Sequence, residues 1–280
     1  MIKEILNYKD TPTQFVEANS VLYAYRTAGR TSGYPLVCLQ HFTGTLDNWD
    51  PIIIDGLAGK RRVITIDNSG VGKSGGTTPR NVADMTKDAI DIITTLGIRK
   101  CDLLGYSLGG FIAQMIAAVQ PGLLRKIILV GTAPQGTHVL YSFPQLVEKA
   151  FHMSKAESFL FLFANGSATS KAKMTAAFSR LHDRTQDRDS ESTMPTIQAQ
   201  ISAITRWGTD PATITLNSIQ QPVMIVQGSN DEMMDSTSSM ELFRQIPNSV
   251  LTYYPDSAHG SYYQYPEMFV EQANYFLDNF

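Results

Sequence analysis

Lys100–Gln114 reads KCDLLGYSLGGFIAQ. The apolar pair Leu103-Leu104 has the character of a strand end, and Phe111–Ala118, FIAQMIAA, that of a helix. Between them lies Gly105-Tyr106-Ser107-Leu108-Gly109, a serine with glycines two before and two after it. A chain that turns from strand into helix over so few residues brings the two elements against each other. Positions 105 and 109 accept that approach because they carry no Cβ. The bend is expected to push the Ser107 hydroxyl outward and to set the unpaired N–H groups of the helix start behind it. Five positions alone recur by chance in Gly/Ser-rich turns, where the serine merely caps a helix. The flanking apolar strand and apolar helix supply the context that makes such a serine a candidate nucleophile. It then needs a base, and an acid to orient that base.

Outward from this stretch, strands and helices alternate. Residues 13–28 hold two β-like runs about Asn19-Ser20, a predicted hairpin. Leu36–Leu39 and Arg62–Ile66 read as short buried strands. The first ends in Gln40-His41-Phe42-Thr43-Gly44-Thr45 and the second in Asp67-Asn68-Ser69-Gly70-Val71-Gly72-Lys73-Ser74. Asn81–Leu96 has helical spacing, with Val82, Met85, Ala89, Ile92, Ile93 and Leu96 on one stripe and Gly97 as a stop. Ile127–Val130, Pro222–Val226 and Val250–Tyr254 complete the strand set, and a last helix runs from about Tyr265 to Phe280. This alternation predicts a parallel sheet covered on both faces. Between about Pro134 and Pro222 the strand pattern stops and helical spacing rich in Phe and Met takes over. The expected organisation is therefore a core of residues 1–133 and 222–280, with a helical cap inserted at 134–221.

Open parallel sheets place their chemistry in loops beyond the carboxyl ends of strands. Of five histidines, His138, His152 and His182 fall in the helical insertion, while His41 follows an early strand. His259 lies in Asp256-Ser257-Ala258-His259-Gly260, after the last strand, and is the favoured base. Asp231, in Gln227-Gly228-Ser229-Asn230-Asp231, is the favoured acid, with Glu232, Asp235 and Asp256 as competitors. Its task would be to fix the imidazole tautomer and stabilise the imidazolium. Two N–H donors should face the developing oxyanion: Leu108, directly after the serine, and Phe42, in the loop after the early strand. Gly72-Lys73-Ser74 imitates the tail of a phosphate-binding loop, but the glycine required five positions earlier is Asp67.

In combination and order, Asp67–Ser74, Gly105–Gly110, Gly228–Asp231 and His259-Gly260 resemble the α/β-hydrolase superfamily, in particular its esterase, lactonase and cofactor-free haloperoxidase-like branch. The resemblance implies an α/β-hydrolase fold with a mostly parallel sheet. It implies the roles of Ser107, Asp231 and His259 as triad, with Phe42 and Leu108 as oxyanion donors. It departs in one place: where such proteins usually read His-Gly before a bulky residue, this chain has Gln40-His41-Phe42. The expected function is a serine hydrolase of a carboxylic ester or related small apolar acyl compound. A carbon–carbon bond hydrolase, a lactonase or a perhydrolase on the same triad, or a low-turnover ligand receptor, are the other readings.

Composition agrees with this picture. The chain has 280 residues, of which 43% are hydrophobic and 18% charged, ordinary values for a folded domain. A net charge of −3 argues against a nucleic-acid partner, which calls for a basic face. Cys38 and Cys101 fall in predicted strands and are expected as buried free thiols, outside any metal-spaced cluster. Neither a cofactor nor a metal is expected. MIKEILNYKDTPTQF lacks a leader-like apolar segment and no apolar run reaches membrane-spanning length, so a cytoplasmic protein is expected.

Overall fold

The computed structural model describes residues 7–280; residues 1–6, where the reading of the N-terminus begins, lie outside it. The strands are β1 (Gln14–Ala18), β2 (Val21–Ala28), β3 (Leu36–Leu39), β4 (Val63–Ile66), β5 (Cys101–Tyr106), β6 (Leu124–Val130), β7 (Val223–Gly228) and β8 (Ser249–Tyr254). They form one sheet in the order β1-β2-β4-β3-β5-β6-β7-β8. Only β2 runs against its neighbours; β3 through β8 pair in parallel. The predicted hairpin is there, Ala18 pairing with Val21 across Asn19-Ser20. Both turn residues have positive φ, 50° and 63°, as a two-residue turn that continues the strand twist requires.

The helices are α1 (Pro51–Ala58), α2 (Val82–Thr95), α3 (Leu108–Val119), α4 (Phe143–Phe151), α5 (Lys155–Phe163), α6 (Ala168–Leu181), α7 (Met194–Thr209), α8 (Ser236–Gln245), α9 (Ser261–Gln264) and α10 (Pro266–Asn279). Helix α2 begins on an Asn81 cap whose side chain accepts from Asp84 N and stops at Gly97, φ 75°. The central strands β3, β4, β5 and β7 are buried along their whole length, so both faces of the sheet are covered. One apolar cluster joins α2 and α3 to the sheet, and another joins α1, α9 and α10 to its other face. Cys38 and Cys101 are free and buried within β3 and β5.

Between β6 and β7 the chain makes no strand and instead forms α4 to α7. Aromatic residues of this segment divide: Phe143, Phe163 and Trp207 are buried, whereas Phe151 and Phe161 remain exposed. Trp207 stacks on Phe111 of α3 with ring centroids 5.1 Å apart, so α7 packs against the helix that follows Ser107. Among the described residues no helix is long and apolar enough to cross a membrane.

Candidate active site

Ser107 occupies the corner between β5 and α3 with φ 54° and ψ −115°, a conformation a side chain adopts only under constraint. The constraint is visible. Ser107 N–H donates to Val130 O at 2.9 Å, and its carbonyl accepts from Thr132 Oγ1 at 2.9 Å. A Cβ on Gly105 would stand 2.4 Å from Gly109 O, and one on Gly109 would stand 2.1 Å from Leu39 O. Both obstacles are backbone, so these two glycines are what lets strand, turn and helix close around the serine.

His259 follows β8, and Asp231 follows β7. Neighbouring parallel strands bring the two loops together: Asn230 N–H donates to Ser257 O at 2.8 Å. A Cβ on Gly228 would meet Ala258 O at 2.2 Å. Asp231 Oδ2 lies 2.9 Å from His259 Nδ1, while Oδ1 accepts from the N–H groups of Met233 and Met234 at 2.9 and 3.0 Å. The carboxylate is thus held from behind by its own turn and aimed at the imidazole. Two of its competitors are engaged elsewhere. Asp235 caps α8 through Thr237 N, and Asp256 accepts from Asn165 and Ser167. Tyr106 stacks on the His259 ring at 5.2 Å and donates its hydroxyl to His259 O at 3.0 Å. Phe163 covers the imidazole at 5.7 Å, and its carbonyl accepts from Gly260 N.

The loop after β3 seats the histidine at position 41 in an aromatic slot. His41 N–H donates to Gln40 Oε1 at 3.0 Å, and the His41 ring is buried edge-on against Tyr106 and Phe163. Its Nδ1 lies 2.7 Å from Phe42 O; since a carbonyl only accepts, Nδ1 carries the proton. Burial pushes the ring's pKa down to about 3, so it stays neutral. The backbone N–H groups of Phe42 and Leu108 donate to no protein acceptor among the described residues. Two unpartnered donors are what an oxyanion hole requires.

Ser107, His259, His41 and Phe42 line one cavity of about 490 Å³. Its wall has an apolar side, including Phe143, Val147, Phe159, Leu162, Phe178 and Met233, and a polar side that includes Asn48, Arg188 and Asp189. His182, at the end of α6, reaches the same wall. Behind the polar side lies a buried charge cluster that pattern reading does not anticipate. Arg26 on β2 pairs with Asp47 at 2.7 Å, and Asp47 accepts from Asp189 N at 2.8 Å. Arg184 donates to the carbonyls of Lys9 and Thr11 at 2.7 and 2.9 Å. At its exposed edge Lys73, from the false phosphate loop, pairs with Asp187. The carboxyls of Asp67 and Asp189 face each other beside Gly72, where a Cβ would meet both. Burial raises both pKa values, helped by repulsion from Asp189 at Asp67 and from Asp47 at Asp189, which rises to about 6. Among the described residues no three His, Cys, Asp or Glu side chains gather as a metal site would need.

This sheet order and this strand-turn-helix serine have known counterparts. Residues 34–266 match the family model described as alpha/beta hydrolase fold. The chain belongs to that family. A solved alpha/beta hydrolase fold protein from Chitinophaga pinensis is 54% identical, covers 98% of this chain and 100% of its own, and superposes with a TM-score of 0.97. RutD of Agrobacterium fabrum, named provisionally as a carbamate hydrolase, is 26% identical over 90% of this chain and 97% of its own length. A pimeloyl-[acyl-carrier protein] methyl ester esterase from Pectobacterium atrosepticum is 26% identical over 88% of this chain and 94% of its own. Family and relatives' names together support hydrolase activity.

Proposed function

We propose that the protein is a serine hydrolase that cleaves a carboxylic ester, or a related small acyl compound, through an acyl-enzyme. His259 takes the proton of Ser107 Oγ as the oxygen attacks the carbonyl carbon, and Asp231 holds the imidazole tautomer and balances the imidazolium. The oxyanion is held by the N–H groups of Phe42 and Leu108, each contributing roughly 3 kcal/mol to lowering the barrier. The leaving alcohol takes the proton from His259. Water activated by the same imidazole then attacks the acyl-enzyme, which releases the acid and restores Ser107.

The observation that carries this reading is the 2.9 Å bond from Asp231 to His259, with His259 and a strained Ser107 on the wall of one cavity. The helical segment 134–221 acts as the cap of that cavity. Its phenylalanines fit an apolar acyl group of small or medium size. The esterase relative, by its name a hydrolase of a methyl ester, is in line with this substrate class.

The test is turnover of p-nitrophenyl butyrate together with labelling by a fluorophosphonate. Wild type should do both, and Ser107→Ala should lose both, its turnover falling by about four orders of magnitude or more. Undiminished turnover in Ser107→Ala would show that another residue is the nucleophile. A wild-type protein that neither turns over nor is labelled would leave the receptor reading standing. Lactones and vinylogous diketones, run in the same panel, decide between ester, lactone and ketone.

A further inference from the structure

The loop that supplies one oxyanion donor is not held by the core alone. Thr43 sits at φ 58°, a region a β-branched residue avoids. The peptide joining Phe42 to Thr43 is nevertheless gripped on both edges. Phe42 O receives His41 Nδ1 and Thr43 Oγ1, each at 2.7 Å. On the opposite edge, Thr43 N–H donates to Gln200 Oε1 at 2.6 Å. Gln200 belongs to α7, 157 residues away in sequence. The next carbonyl, Thr43 O, accepts from Ser192 Oγ at 3.2 Å, also from the helical segment.

We propose that Gln200 is a positioning residue: it sets the plane of the Phe42–Thr43 peptide and thereby aims the Phe42 N–H, so the oxyanion hole is complete only with α7 docked. This rests on the serine hydrolase reading above. The Phe42 N–H belongs to the preceding peptide and is joined to this one through Phe42 Cα, so a loosened Phe42–Thr43 peptide lets that Cα, and the donor beside it, shift. The other end of the glutamine points the same way. Gln200 is fully buried, yet its Nε2 finds no acceptor among the described residues. A buried amide with half its hydrogen-bonding capacity unused is a poor choice for packing, so its presence is best explained by the oxygen it gives to Thr43. The orientation is unambiguous, because a flipped amide would set donor against donor.

Gln200→Met removes the acceptor and keeps the length. We expect kcat for p-nitrophenyl butyrate to fall roughly 10- to 100-fold, somewhat less than outright loss of an oxyanion donor, with KM nearly unchanged. Affinity for an alkyl boronic acid, whose tetrahedral adduct on Ser107 places an oxygen in the hole, should fall by a similar factor. Gln200→Glu keeps an oxygen at the same reach and should restore most of the rate. Gln200→Asn is one methylene too short and should not. Should Gln200→Met fail to fold, the Glu and Asn variants carry the comparison. A purely packing role would raise KM or lower Tm and leave boronate affinity alone. That result, or variants with wild-type kcat and boronate affinity, would overturn the proposal while wild-type turnover kept the serine hydrolase reading intact. An inactive, unlabelled wild type would instead remove both.

Discussion

Two buried polar clusters stand side by side in this molecule, and they are built on opposite plans. Around Ser107, each group sits within a few residues of a strand end and, apart from the Phe42 loop gripped from α7, is held by neighbouring strands and strand-end loops. Asp231 is fixed by the N–H groups of Met233 and Met234, and Ser107 by β6 and Thr132. Along the seam with the helical segment, Arg26, Asp47, Arg184 and Asp189 come from distant parts of the chain. Arg26 pairs with Asp47 and comes within 3.9 Å of Asp189, whose carboxylate oxygens accept no hydrogen bond among the described residues, while Arg184 is held by Lys9 O, Thr11 O and Asp187. The first plan leaves only the Phe42 loop, gripped by Gln200 of α7, open to changes elsewhere in the molecule. The second makes a joint in which Asp47 and Asp189 depend on Arg26, because a buried charge left alone is far more costly than one with a partner.

The largest effect that would break this contrast is at Asp231. Asp231→Asn should lower kcat by about four orders of magnitude through loss of the imidazole orientation, while Asp235→Asn, which alters only a helix cap, should change it little. Steady-state kinetics on the two variants decide; the reverse ranking would mean that the local plan has been assigned to the wrong carboxylate. Arg26→Met should act through stability instead. It leaves Asp47 and Asp189 without their closest cation and should cost about 3–5 kcal/mol, a fall in Tm of roughly 10 °C. Fluorophosphonate labelling of the protein that remains folded should change only a few-fold. Strong loss of labelling in fully folded Arg26→Met would show that the two clusters are one.

The smallest effect concerns pH. Asp67 and Asp189 have native pKa values above the ordinary carboxylate value, which is near 4. Between that value and about 6 for Asp189, the native state therefore binds more protons than the unfolded chain. Stability from this pair is full below the window and is lost as pH rises through it. In Asp189→Asn the fall should flatten, so the Tm difference between variant and wild type should move in the variant's favour by a few degrees from pH 4 to pH 7. A difference independent of pH would show that Asp189 titrates in the folded protein as it does in the unfolded chain.

The contrast also explains what could be read from the sequence. The hairpin at Asn19-Ser20, the parallel strands and α2 follow from local rules: turn residues with positive φ, short apolar runs, and a stripe closed by Gly97. The residues singled out around Ser107 lie in loops directly after strands, so parallel pairing brings them to one edge of the sheet. Nothing local marks Gln200, which lies inside an unremarkable helical run and matters only because α7 crosses the loop after β3. The same is true of Asp189, whose partners lie well over a hundred positions away. His41 shows both sides. Its departure from the usual small residue was visible in the sequence. Its accommodation depends on a ring slot between Tyr106 and Phe163, which only packing creates.

The backbone at position 107 has a consequence for how such a protein changes over generations. With φ at 54°, the corner would be more comfortable as glycine, and the strain there is of order 1–3 kcal/mol. A lineage relieved of the need for turnover could thus become sturdier by discarding its hydroxyl in a single substitution. Drift at this corner has a preferred direction, away from serine, and the proposed role of Ser107 as nucleophile is what would oppose it.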